Sequence, residues 1–152
     1  MLAPEDFATR CNELLERASS NGASALSRGE RVAYDANRFL FEYESAGLSG
    51  FLYNISPTVG ETSWRELMDI SDSLRNLGCI AVADELASLE PALATANRAG
   101  ASTWGEFCAA VGEERLSQAD YTLGQQVRVI WAQLERFVSE LPSHGEQRRS
   151  VA

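Results

Sequence analysis

The last third of the chain fixes the class of fold. Leu123, Val127, Ile130, Leu134, Phe137 and Leu141 recur at alternating steps of four and three residues. Those steps put all of these side chains on one side of an α-helix, which turns once every ~3.6 residues. A half-buried strand would instead need period-two alternation, and none persists anywhere in the sequence. A helix with one apolar stripe buries it against another helix. The chain therefore reads as all-α, a single globular domain of about six or seven helices over residues 1–142.

The earlier segments follow the same period. Pro4 to Ser20 reads as a first helix with Phe7, Cys11, Leu14, Leu15 and Ala18 inward, Pro4 in its first turn, and Glu5 and Asp6 against its dipole. Gly29 to Ala46 reads as a second, with Gly47 as its C-terminal cap. Leu48 to Ser56 is apolar and aromatic and suits a short helix, followed by a turn over Pro57 to Gly60. Ser63 and Glu66 have the spacing of a capping box opening a third helix that runs to Leu77. Cys79 to Glu90 reads as a fourth, bounded by Pro91, with an Ala-rich stretch to Ser102 behind it. Thr103 and Glu106 form a second capping box ahead of Trp104, Phe107, Cys108 and Val111. The last helix is expected from about Ser117 to Leu141, before Pro142 and a polar, fraying tail over 143–152.

Charge narrows the range of partners. The net charge is −9, and all 13 basic residues are Arg. An acidic surface repels nucleic acid and anionic membranes and attracts basic surfaces. No direct nucleic-acid binding and no membrane binding are expected. No stretch approaches the ~18 apolar residues of a membrane span, and the first residues lack a basic and apolar leader pattern, so a cytoplasmic location is expected. Three cysteines at no metal-ligand spacing read as free thiols in a reducing compartment, with Cys11 and Cys108 on apolar faces.

Catalytic signatures are missing. The sequence has no glycine-rich phosphate loop, no paired-cysteine zinc motif and no H-E-x-x-H. Without Lys there is no Schiff-base chemistry, and the lone His144 falls in the tail. Glu42 with Glu44, or Asp84 with Glu85, could form a carboxylate pair, but residues one or two apart on a helix do not face each other. A non-enzymatic protein without a cofactor or metal is expected.

The acidic residues are unevenly spread. Residues 39–97 hold Glu42, Glu44, Glu61, Glu66, Asp69, Asp72, Asp84, Glu85 and Glu90 against only Arg65 and Arg75. These nine carboxylates are the candidate partner-binding residues. Glu66, Asp69 and Asp72 step by three, which spaces carboxylates about 5–6 Å apart along a helix, comparable to phosphates along a nucleic-acid strand. The alternative is a solvated face partly paired to Arg65 and Arg75.

The stretch from Phe41 to Leu77, within a signature region over 41–90, adds a resemblance. Glu42, Gly47, Phe51, Asn54 and Ser56, with Leu48 and Leu52 where the pattern has aromatic residues and Leu77-Gly78-Cys79 at a following turn, resemble the signature of a bacterial DNA-mimic protein family, a domain of otherwise unknown function. Ser45, Ala46 and Pro57 depart from that pattern. The resemblance implies an all-α fold, a possible homodimer, and an acidic surface that occupies the DNA-binding face of a basic partner such as a transcription factor. The rival readings are an immunity-type inhibitor of a basic toxin or nuclease, and a small hydrolase using carboxylates.

Overall fold

The computed structural model describes residues 2–57, 61 and 63–143. Thr58 to Gly60, within the expected turn, and residues 144–152, which include His144 and nearly all of the tail, lie outside the described residues. The elements are α1 (Pro4–Asn21), a 3₁₀ turn (Ala23–Ala25), α2 (Arg28–Asn54), α3 (Arg65–Asn76), α4 (Ile80–Arg98), α5 (Trp104–Val111) and α6 (Glu113–Glu140). There is no strand among the described residues, as the missing period-two pattern requires.

Four helices close a ring. α2 packs on α3, α3 on α4, α4 on α6, and α6 back on α2. α1 lies against α2 and α6, and α5 against α4 and α6. The ring encloses Phe39, Leu40, Phe51, Leu52, Trp64, Leu67, Ile70, Leu74, Leu86 and Leu134, all essentially inaccessible. Burying each aliphatic or Phe side chain contributes roughly 1.5–3 kcal/mol. Phe39 and Phe51 meet edge-on at 5.0 Å, and Trp64 meets Phe107 edge-on at 5.4 Å. Polar pairs set the helix register. Asp35 of α2 is buried and accepts from Arg31 Nε at 2.9 Å and from Ser73 Oγ of α3 at 2.7 Å. Ser71 Oγ donates to the carbonyl of Ala83 at 2.7 Å, fastening α3 to α4.

Several helix boundaries differ from the sequence reading. α2 starts one residue before Gly29, and its cap is a box the sequence reading passed over. Ser27 Oγ accepts from Glu30 N–H, and the Glu30 carboxylate accepts from Ser27 N–H. Gly47 ends the first helical segment of α2, as expected. It adopts φ 68°, ψ −170°, which is not helical, and a second helical segment follows at once, so α2 is the two expected helices joined across a kink. Beyond the kink Gly50 fits only because it lacks a side chain: a Cβ there would sit 2.2 Å from that of Ala46.

The Ser63–Glu66 capping box does not form. Trp64 is the N-cap, with no side-chain cap. Glu66 is then the second helical residue rather than the third, and its carboxylate turns to Arg38 instead. Pro91 does not bound α4; it lies inside it. A proline there removes one helical hydrogen bond. Pro91 is exposed, so its ring meets solvent. The alanines that follow favour helix, and buried Leu93, Ala94 and Ala96 hold the second half in place. α6 begins at Glu113, four residues ahead of the expected Ser117, because Gly112 at φ 93° turns the chain directly out of α5. The Thr103–Glu106 box is formed as expected.

Candidate functional site

The nine candidate carboxylates do not share one face. Glu42 and Glu44 are on α2, Glu66, Asp69 and Asp72 on α3, Asp84, Glu85 and Glu90 on α4, and Glu61 precedes α3. Their partners pull them in different directions. Arg38 holds Glu42 through Nε at 2.8 Å and Glu66 through Nη1, one guanidinium between two carboxylates at the α2–α3 seam. Burial alone would lower the Arg38 pKa, but the bonds to Glu42 and Glu66 outweigh it and raise it, so this cation stays charged at every ordinary pH. Glu44 faces α6, accepting from Trp131 Nε1 at 2.7 Å. Glu85 faces the start of α6, bound by Arg115 Nη1 at 2.5 Å. Asp84 pairs with Arg75 at 2.8 Å.

This revises the charge map. Arg38 and Arg115 lie outside residues 39–97 in sequence, yet they neutralise carboxylates inside that segment. Glu66 also departs from the expected outward trio. Its side chain is 40% exposed and committed to Arg38.

What remains open to solvent with no side-chain partner for its carboxylate among the described residues is a smaller group. Glu61, Asp69 and Asp72 are exposed and make no ion pair with a described residue. Glu61, Glu66 and Asp69 line one groove of about 230 Å³, together with Ile55, Pro57 and Arg65. Asp72 continues the line one step along α3. Glu90 is half-buried on α4. Helical spacing thus places Asp69 and Asp72 correctly, and the groove adds Glu61. Nothing in the sequence marks Arg38 and Arg115 as the long-range counter-charges; they come from residues 28 and 30 positions away.

The carboxylate pairs considered for catalysis do not meet. Glu42 and Glu44 face α3 and α6 respectively, and Asp84 and Glu85 take different arginines. Among the described residues, one oxygen of Glu42, Oε2, is buried without a hydrogen-bond partner, as is Trp64 Nε1. No group of three or more His, Cys, Asp or Glu among the described residues could hold a metal ion. No described helix is long and apolar enough to cross a membrane. Cys11 and Cys79 are buried free thiols, whereas Cys108 is only half-buried, against the expectation of a core position. Burial pushes the Cys11 thiol up to about 11, against the opposing pull of Arg10, so it is a poor nucleophile.

No protein-family model, no curated protein and no solved structure matches this chain.

Proposed function

We propose that the protein is a non-enzymatic acidic binding domain that presents a short line of carboxylates to a basic, DNA-binding partner in place of the phosphate backbone. The observation that carries this reading is the open group Glu61, Asp69 and Asp72 at the groove before α3 and along its outer face, with no ion pair to any described residue. Carboxylates a turn apart on a rigid helix offer a basic surface fixed charges about 5–6 Å apart. The net charge of −9 adds long-range attraction. The sequence likeness to the DNA-mimic family supports the same reading. Occupation of a basic toxin or nuclease would use the same surface.

The test is capture of partners from a bacterial lysate on the immobilised protein. Retained partners should be released by duplex DNA and by salt, and should be lost from a Glu61→Gln, Asp69→Asn, Asp72→Asn variant. Glu66 is left intact because Arg38 depends on it. A partner indifferent both to salt and to the triple substitution would sink the proposal. A partner released by the substitutions but not by DNA would favour the inhibitor reading.

A further inference from the structure

α1 is fastened to the fold by a short apolar stripe and by polar contacts. Of its 18 residues, Cys11, Leu14 and Ala18 are buried. Phe7 adds an edge-on contact with Trp131 at 6.3 Å. Two arginines add polar contacts. Arg10 Nη2 donates to the carbonyl of Leu141 at 2.7 Å and to that of Pro142 at 3.4 Å. The last turn of α6 has no basic residue of its own, so Arg10 supplies from α1 the cation that helix-terminal carbonyls favour. Arg17 Nη2 lies 2.6 Å from Glu30 Oε1, whose carboxylate also closes the α2 capping box.

Between these two fastenings is an open cleft of about 310 Å³, lined by Asp6, Arg10, Glu13, Leu14, Arg17 and Val138 among others. The seam here is open to solvent and walled mainly by polar and charged side chains, so it lacks the dispersion contacts of a packed apolar seam. The α2–α6 seam of the ring, by contrast, is filled by side chains such as Leu40, Leu123 and Ile130, with no exposure at all.

We propose that α1 is a releasable strap: it undocks from α2 and α6 as a unit while the α2–α3–α4–α6 ring stays folded, and Arg10 and Arg17 are what hold it shut. Local opening of this kind is expected where few apolar side chains are buried and the rest of the attachment is polar. The chain carries its own reporters. Cys11 is buried on the inner face of α1, and Cys79 is buried at the turn between α3 and α4, inside the ring. Release of the strap exposes the first and not the second.

The experiment uses the full chain with Cys108→Ser, so that two thiols remain. Labelling by an aromatic disulfide reagent is followed under native conditions, each rate divided by its value in denaturant. Cys11 should react at least about tenfold faster than Cys79. Arg17→Met should speed Cys11 by a further factor of about ten, the equivalent of one charge-assisted hydrogen bond, and leave Cys79 unchanged. Arg10→Met should act in the same direction. Ile70→Val, a ring substitution on α3, should speed Cys79 and leave Cys11 as it was. A common rate for both thiols would overturn the proposal. So would a Cys11 rate that ignores both arginine substitutions, or one that rises with Cys79 in Ile70→Val.

Discussion

The carboxylate of Asp120 on α6 accepts the backbone N–H of Leu48 on α2 at 3.3 Å, where the Gly47 kink has removed that N–H from the helical ladder. The same residue receives Tyr43 O–H on its backbone carbonyl at 2.7 Å. Asp120 thus caps, from another helix, the restart of α2. Burial first, and then the Asp120 contact, raise the Tyr43 pKa well above its ordinary value. Asp120→Ala should cost about 1 kcal/mol, the usual loss on deleting a helix cap. Asp120→Asn, which keeps an acceptor oxygen, should cost less. Urea midpoints of the two variants decide this, and equal loss in both would show that charge rather than hydrogen bonding matters.

Gly47 itself should tolerate no side chain. Its φ 68°, ψ −170° lies in a region essentially restricted to glycine. Gly47→Ala should cost on the order of 1–3 kcal/mol although nothing crowds the position closer than 3.9 Å. An unchanged thermal midpoint would mean the kink relaxes into a continuous helix.

Trp64 is 1% exposed, and its indole N–H is buried without an acceptor among the described residues. Trp64→Ala should cost about 3–5 kcal/mol through the cavity it leaves. Trp64→Phe should cost clearly less, because it removes the orphaned donor along with part of the ring. Denaturant titration of both variants is the check.

The surface carboxylates should separate by their pairing. Asp69→Asn and Asp72→Asn should each change stability by no more than about 0.5 kcal/mol. Glu66→Gln should cost about 1 kcal/mol, since it takes one of the two carboxylates from a partly buried guanidinium. If Glu66 behaves like Asp69, the Arg38 bridge contributes nothing.

Acid should loosen α1 first. Burial tends to raise the Glu30 pKa, but the Arg17 guanidinium and the Ser27 N–H outweigh it and hold the carboxyl below its usual 4.5. The unfolded or undocked chain therefore binds the proton more readily. The stabilisation is fully present above about pH 4.5 and is lost as pH falls through the lower folded value. Cys11 accessibility should rise over that range, read by quenched labelling, and Glu30→Gln should flatten the dependence.

The helical class was legible because stripes such as Leu123–Ile130–Leu134 report burial directly, and the structure buries all three. The Thr103 box was legible because both partners lie within four residues. Ser63 with Glu66 carried the same local signature and failed, since Arg38, 28 residues away, competes for that carboxylate. Pro91 misled for a related reason: its local cost is real, but tertiary burial of Leu93 and Ala96 exceeds it. The candidate site was only partly readable. Asp69 and Asp72 follow from helical spacing, whereas the neutralisation of Glu42, Glu66 and Glu85 depends on arginines that only the folded packing brings near.

Leu48, just past the Gly47 kink, and its cap Asp120 are 72 residues apart in the chain. A growing chain that has reached only Gly112 already holds both halves of α2, the glycine and the unmatched Leu48 N–H, but not the side chain that closes them. Water must serve that amide until α6 emerges. The final bend of the second helix thus cannot be fixed until synthesis, running from the first residue to the last, has passed Asp120.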